Sequence, residues 1–443
     1  MFKKGKKTDP DNYRPISLLP IFNKIFEKLI CIQLKSFLEK YKIYVDFQFG
    51  FRADHSTVMA LTEMIDNIRC LLDSKHYVIG LFVDFSKAFD TVDHNILLYK
   101  LSHYGIRGHA HKFFKSYLTD RKQFTTVNNK NSSMKNICCG VPQGSVLGPV
   151  LFLLYINDLS LAIRHGTTRL FADDTSIFTY DKKIDELILK SVEVYKSLFK
   201  WCISNRLTIN FSKTGFMLFH AKNKPVPPDF NEIEVDDIII SRTTVTKYLG
   251  LYVDEKLSWN YHVTQLCKKL TQYFGIFKKV KDKVTPKIVR QLYFAFIYSR
   301  INYGIQVYGS CADTLLNKIQ TIQNKLLKFF LNLDILHSTN TLHANLEILK
   351  VKDIYEVNII AFVKKCISKE CPKIFHNYYV PNQRHQAWNP KLIVPSSRID
   401  MYEVSTKIQG AILWNKLNKT LKDKVHLKCF KKILTKYYVN RYT

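Results

Sequence analysis

The stretch RLFADDTSIF, residues 169–178, decides how this chain is read, because it sets two adjacent aspartates, Asp173 and Asp174, in an otherwise apolar run. Strand-like residues lie on both sides. Carboxylates are costly to bury unless they are paired, hydrogen-bonded or bound to a cation. If the run is a β-hairpin, its turn presents both carboxylates at the end of a sheet.

A second acidic stretch, GLFVDFSKAFDTVDH (80–94), ends the apolar run VIGLFV on Asp84. A charge at the end of a buried strand marks either a strand terminus in water or a metal ligand. On a strand beside Asp173–Asp174, Asp84 makes a group of three carboxylates. Such a group repels itself unless a hard divalent cation neutralises it. Mg²⁺ takes oxygen ligands and completes its shell with phosphates, and two such ions clamp an in-line phosphoryl displacement. Asp93 reads instead as a cap for the helix HNILLYKLSHYG.

Composition points to the partner. The formal charge is +30, from 67 Lys and Arg against 37 Asp and Glu. So large an excess works against compactness unless an anion neutralises it, and nucleic acid leads over an anionic membrane surface or a purely structural role. The 13% of aromatic residues suits base stacking between cations, although core packing accounts for most of them. An apolar fraction of 46% over 443 residues allows two or three domains with real cores. The ten cysteines are irregularly spaced with no C-x-x-C, which indicates reduced thiols. Cys366, Cys371, His376 and His385 fit no zinc spacing. MFKKGKK is followed by no apolar run, so no signal peptide is expected. SVLGPVLFLLYI is too short to span a bilayer and reads as a buried helix.

Strand-like and helical runs alternate up to about residue 254. HYVIGLFVDF, RLFADDTSIF, GFMLFH and TKYLGLYVD read as strands. ISLLPIFNKIFEKLICIQLKSFLEK and STVMALTEMIDNIRCLL read as helices. AKNKPVPPDFNEIEVDD (221–237), rich in Pro and charge, reads as a surface loop ahead of a strand DIII. Beyond Leu257 the pattern is helical, with Val263, Leu266, Cys267, Leu270, Phe274 and Phe277 at helical spacing. Thr285–Pro286 opens a further helix, and TLLNKIQTIQNKLLKFFL forms another. From Thr341 onward 19 Lys and Arg stand against 7 Asp and Glu, with no chemistry assignable.

Seven segments in order, NYRPISLLP, QFGFRADHSTVMAL, FVDFSKAFDTVDH, GVPQGSVLGPVLFLLYINDL, FADDT, KTGFMLF and YLGLYVD, resemble the reverse transcriptases of non-LTR (LINE-type) retrotransposons, most like the jockey clade. The resemblance is close over residues 2–254. It implies an α+β right-hand polymerase: fingers and palm with an antiparallel palm sheet over 1–254, a helical thumb over 255–340, and a basic C-terminal region over 341–443. It implies RNA-directed DNA synthesis, adding dNTPs to a DNA primer 3′-OH on an RNA template with two Mg²⁺ ions, Mn²⁺ serving as a substitute. Asp84 and Asp173 match the metal-bridging aspartates, Asp174 the third carboxylate, and the Phe85 carbonyl a further ligand. Phe89 matches the aromatic gate that excludes a ribose 2′-OH, though its spacing alone reads as core. Gln143 and Gly144 match residues lining the incoming nucleotide. GVPQGSVLGP lacks the Gly-Lys-Ser/Thr ending of a P-loop. Arg52 matches an arginine that grips the triphosphate, and Arg14 a residue near template or triphosphate. Lys213 matches a lysine that neutralises leaving pyrophosphate. YLGLYVD resembles a primer grip.

Relatives usually carry an upstream endonuclease, and at MFKKGKKTDPDNYRP they are already inside the fingers. The expectation is an N-terminally truncated chain that does not retrotranspose autonomously, held in a nuclear or cytoplasmic ribonucleoprotein and not secreted. Two alternatives stand beside the enzyme: a catalytically inactive remnant that only binds nucleic acid, and a structural protein in which the three aspartates lie far apart. The oligomeric state is not legible.

Overall fold

The computed structural model describes residues 1–2, 5–9, 12–279, 283–382, 391–423 and 427–442. The chain begins α1 (Ile21–Lys40), α2 (Thr57–Asp73), β1 (Tyr77–Val83), α3 (His94–His103) and α4 (Gly108–Leu118). Four two-residue strands follow, β2 (Lys122–Gln123), β3 (Thr126–Val127), β4 (Lys130–Asn131) and β5 (Lys135–Asn136). Next come α5 (Gly148–Ile156), α6 (Leu159–Ala162), β6 (Thr167–Phe171), β7 (Asp174–Asp181), α7 (Ile184–Ser204) and β8 (Gly215–Phe219). Two hairpins, β9 (Glu232–Val235) with β10 (Ile238–Ser241) and β11 (Val245–Tyr248) with β12 (Leu251–Asp254), precede a helical remainder. That remainder contains α8 (Asn260–Lys278), α9 (Pro286–Leu292), α10 (Ser299–Asn302), α11 (Ile305–Tyr308), α12 (Asp313–Phe330), α13 (Thr339–Asn345) and α14 (Val351–Ile367). It ends with α15 (Asp400–Glu403), α16 (Thr406–Lys416), α17 (Lys419–Asp423) and α18 (Leu427–Val439). The α+β class is therefore observed, with antiparallel pairing in its hairpins.

The four-stranded sheet has the order β6–β7–β1–β8. β1 is buried along its whole length, as its unbroken apolar run requires. α5 is the buried helix expected from SVLGPVLFLLYI. α1 begins at Ile21 rather than Ile16: Pro20 is the cap residue with extended backbone, and a proline disfavours helical backbone at the residue before it. The stretch 221–237 is not a loop throughout. Glu232–Val235 alternates exposed and buried, and pairs antiparallel with β10 across a turn at Asp236–Asp237. The period-two signal of EIEV was masked by the prolines before it.

The chain divides into two compact units. One is Met1–Ala53, Ile79–Phe216 and Val226–Arg242; the other is Asp54–Val78, Met217–Pro225 and Thr243–Thr443. In the first, Lys100 pins α3 to the helices beside it. Its Nζ donates to the Tyr155 carbonyl at 2.6 Å and to Asp158 Oδ1 at 2.7 Å, and Trp201 Nε1 donates to the same carboxylate at 3.2 Å.

In the second unit α2 packs against α11, α15 and α16. Its polar centre is Asp66, which accepts the N–H groups of Thr406 and Lys407, each at 3.0 Å, and the Tyr378 hydroxyl. Those two amides open α16, where a carboxylate meets the positive end of the helix. Arg69, equally buried, donates to the Val404 carbonyl at 3.1 Å and to Ser310 Oγ at 2.9 Å. Cys366 and Cys371 are buried free thiols, and His376 Nε2 bonds the Cys371 carbonyl at 2.9 Å; His385 lies outside the described residues.

Candidate active site

The hairpin read in RLFADDTSIF forms. β6 and β7 pair antiparallel with Phe171 opposite Asp174, leaving Ala172 and Asp173 as the turn. Ala172 adopts φ +57°, a left-handed conformation uncommon outside glycine. Its N–H donates to Gln48 Oε1 at 3.3 Å, and the same buried oxygen accepts the Gly50 N–H at 2.8 Å. A Cβ at Gly50 would lie 2.5 Å from the Ala172 nitrogen. Only glycine lets segment 48–50 support the turn so closely.

Asp84 follows the last residue of β1, the strand next to β7. Its Oδ2 accepts from Lys213 Nζ at 2.8 Å and from Asn210 Nδ2 at 3.1 Å. Its main chain is fixed too. The N–H donates to Thr214 Oγ1 at 3.3 Å, and the carbonyl accepts the Asn210 N–H at 2.8 Å.

Asp174 responds electrostatically to both other aspartates. Its carboxyl is raised to about 6, first by the protein packed around it and then by the charges of Asp173 and Asp84, while Arg14 opposes the rise. The side chain keeps solvent on one side, so partial loss of hydration, not full enclosure, is the leading cause. Asp84, Asp173, Asp174, Arg14 and Lys213 therefore share one electrostatic neighbourhood. Among the described residues, no three His, Cys, Asp or Glu side chains are already disposed to hold a metal ion together.

The remaining candidates fall into smaller groups. Phe85 is buried, and its backbone bridges Ile209. Phe89 is half-buried and stacks on Phe152 with ring centroids 4.3 Å apart. Gln143 Nε2 donates to Asp90 Oδ1 at 2.8 Å, and the Gln143 carbonyl accepts the Ser17 N–H at 2.7 Å. Gly144, at φ +111°, lies against the Ser17 carbonyl, which a Cβ would approach to 3.0 Å. The Arg52 guanidinium is taken up by Glu39, at 3.2 and 3.3 Å, by the carbonyls of Val45 and Gln48, and by the face of Tyr44.

Asp93 caps α3, accepting the N–H groups of Asn95 and Ile96 at 2.9 and 3.0 Å. Three supporting residues had no role in the sequence reading: Asp90, Gln48 and Gly50. Asp90 sits in the acidic stretch 80–94, but nothing local reveals that a glutamine 53 residues away faces it. Burial raises the Asp90 carboxyl, and the bond from Gln143 and the charge of Lys87 oppose that rise.

The sequence profile described as "Reverse transcriptase (RNA-dependent DNA polymerase)" matches residues 3–253. That span coincides with the stretch over which the ordered motifs carried the resemblance. The chain is similar to "Probable RNA-directed DNA polymerase from transposon X-element" of Drosophila melanogaster, 32% identical over 367 residues that cover 80% of this chain and 39% of that protein. The corresponding protein of transposon BS is 31% identical, covering 79% of this chain and 40% of its own. "RNA-directed DNA polymerase from mobile element jockey", from the same species, is 31% identical, covering 74% and 36%. The chain thus spans about two-fifths of the length of the curated relatives it matches.

Proposed function

As a member of the reverse transcriptase (RNA-dependent DNA polymerase) family, on its non-LTR transposon branch, the chain is, we propose, an RNA-directed DNA polymerase that adds dNTPs to a primer 3′-OH on an RNA template. The observation that carries this reading is the gathering of Asp84, Asp173 and Asp174 at adjacent strands, close enough that two of them raise the carboxyl of the third.

The family works with divalent cations. The donor set fits one, since it offers only oxygens and its mutual repulsion is what a hard cation relieves. Asp84, Asp173, Asp174 and the Phe85 carbonyl would hold two Mg²⁺ ions, with Mn²⁺ as a substitute. When bound, such ions supply charge neutralisation and Lewis-acid polarisation for nucleotidyl transfer. The chain's own residues do the rest. Arg14 and Arg52 take the triphosphate, and Arg52 must release Glu39 to do so. Gln143 and Gly144 line the incoming nucleotide, while Phe89 fills the space a 2′-OH needs. Lys213 neutralises the leaving pyrophosphate, which requires it to leave Asp84.

In this reading residues 1–254 are fingers and palm, 255–340 the thumb, and 341–443 a basic C-terminal region. The basic surface holds template and primer. Among the described residues no helix is long and apolar enough to cross a membrane. The place of action is a ribonucleoprotein in nucleus or cytoplasm.

The test is primer extension on poly-rA with oligo-dT and Mg²⁺, comparing the chain with Asp173→Asn. Extension by the unaltered chain and its loss in the variant are expected; equal signals sink the polymerase reading. Nucleic-acid binding without extension in either protein would favour a chain that binds but does not act.

A further inference from the structure

α1 buries a carboxylate among apolar side chains while leaving several of its own apolar residues exposed. Ile21, Phe22, Ile25, Leu29 and Ile32 are exposed, whereas Glu27 is only 4% exposed and shares the buried face with Cys31, Leu34 and Leu38. A buried carboxylate needs donors to be tolerated. Glu27 Oε2 accepts the N–H of Val146 at 2.6 Å and of Leu147 at 3.3 Å, and Oε1 accepts the Tyr117 hydroxyl at 2.9 Å. One turn further along, Cys31 Sγ lies 3.9 Å from the Val146 carbonyl oxygen. α1 therefore engages both main-chain polar groups of Val146.

These two amides immediately precede α5. The first N–H groups of a helix lack intrahelical partners, and its positive end favours an anion. Leu147, the residue at the cap position, brings no side-chain bond of its own. Ser145 serves the first amide of α5, Gly148 N–H, and Glu27 supplies from α1 the acceptor for the two amides before it. Val146 is the second residue after Gly144, in a turn otherwise tied by Ser145 Oγ to the Pro142 carbonyl at 2.8 Å and to the Gly148 N–H at 2.9 Å.

We propose that Glu27 is a positioning residue for the turn 141–147: by clamping its last main-chain amides it holds Gln143 and Gly144 where the incoming nucleotide is lined. This rests on the polymerase reading of Gln143 and Gly144. A leucine at position 27 would fill similar space but leave three donors unanswered, so packing alone does not account for the carboxylate.

The experiment compares Glu27→Ala and Glu27→Gln with the full unaltered chain. In the glutamine variant Oε1 still accepts the Val146 N–H while Nε2 donates to the Tyr117 oxygen. Bonds to charged groups are among the stronger ones in proteins. Glu27→Ala is therefore expected to raise the dNTP KM about tenfold with primer–template affinity unchanged. Glu27→Gln should stay within about threefold of the unaltered chain. Hydrogen exchange at the Val146 and Leu147 amides should be slow in the unaltered chain and faster in Glu27→Ala. A folded Glu27→Ala with unchanged KM and unchanged exchange overturns the proposal. So does a loss confined to the active fraction or melting temperature with KM intact, which is a stability role. If Glu27→Ala does not fold, fast exchange of the two amides in the unaltered chain or in Glu27→Gln overturns it, and slow exchange in both supports it. An unaltered chain that extends no primer defeats the polymerase reading, while the exchange measurement still decides the clamp.

Discussion

Gln143 Nε2 donates to Asp90 Oδ1 at 2.8 Å, joining the turn before α5 to the segment after β1. A carboxylate accepts and does not donate, so it sets the orientation of the amide: Nε2 toward Asp90, Oε1 away from it. Asp90→Ala frees that orientation. It is expected to raise the dNTP KM about tenfold, the lower end for one hydrogen bond to a charged group, with a smaller change in kcat. Asp90→Asn, which can still accept through Oδ1, should recover part of the loss. In a Gln143→Ala background, Asp90→Ala should change KM no further, because the two act as one unit. Additive effects in that double-mutant cycle would show that Asp90 works through something else.

Gly50 and Ala172 approach each other closely beneath the aspartate turn. Gly50→Ala sets a Cβ 2.5 Å from the Ala172 nitrogen, so either segment 48–50 or the turn must move. The cost is expected to be about 1–3 kcal/mol, as for other overpacked sites, with a marked loss of primer extension in the protein that still folds. Gly275, within α8, has no atom near the equivalent Cβ position. Gly275→Ala should stabilise by about 0.5–1 kcal/mol through helix propensity. Urea midpoints of the two variants should move in opposite directions; movement in the same direction contradicts the geometric argument.

Much of the site was legible because its chemistry is local. Asp84 ends an apolar run and Asp173–Asp174 interrupts another, so a strand end and a hairpin turn were readable as candidates, and the family resemblance supplied their shared role. The cap at Asp93 was legible for the same reason. What holds the site was not legible, because its partners are distant in sequence. Glu27 reads as one more charge on a helix, and only the fold reveals that it faces residues 119 and 120 positions away. Gln48 beneath Ala172 and Asp90 beside Gln143 are hidden in the same way. β10 was legible as the strand DIII, whereas its partner β9 is a four-residue alternation set directly after a proline-rich, charged run that reads as loop.

In the second unit, Asp66 and Arg69 are both buried, with side-chain exposures of 5% and 2%. Burial raises the Asp66 carboxyl, against the pull of Arg69, the Tyr378 hydroxyl and two amides. Removing one member leaves the other charge enclosed. Arg69→Met is therefore expected to destabilise the unit by about 3–5 kcal/mol, read as a shift in the denaturation midpoint. The same contacts make Tyr378 and the start of α16 structural partners of α2. Deleting residues 341–443 should therefore strip α2 of Tyr378, α15 and α16, leave it the packing of α11, and abolish cooperative unfolding of this unit. A deletion variant that unfolds cooperatively at the original midpoint would refute that dependence.

His262 and His343 give the second unit a calculable pH dependence. Both are buried neutral. Burial, aided by the charge of Lys269, lowers His262 to about 4. Burial also lowers His343 to about 4, with Lys350 in support and the bond to the Ile348 carbonyl in opposition. An unfolded histidine titrates near 6.5, so between these values the unfolded chain binds protons that the folded chain refuses. Stability is thus fully present above about pH 6.5 and is lost as pH falls toward 4, by up to about 3 kcal/mol for each residue. Asp174 works in the opposite sense. Raised to about 6, it is more readily protonated when folded and favours the folded state as pH falls through that value. The histidine contribution is isolated by comparing the chain with a His262→Gln, His343→Gln variant, in which Asp174 is unchanged. Urea midpoints measured at pH 7.5, 6 and 5 should fall more steeply in the unaltered chain. Parallel profiles would mean that the two imidazoles are not held neutral in the folded protein.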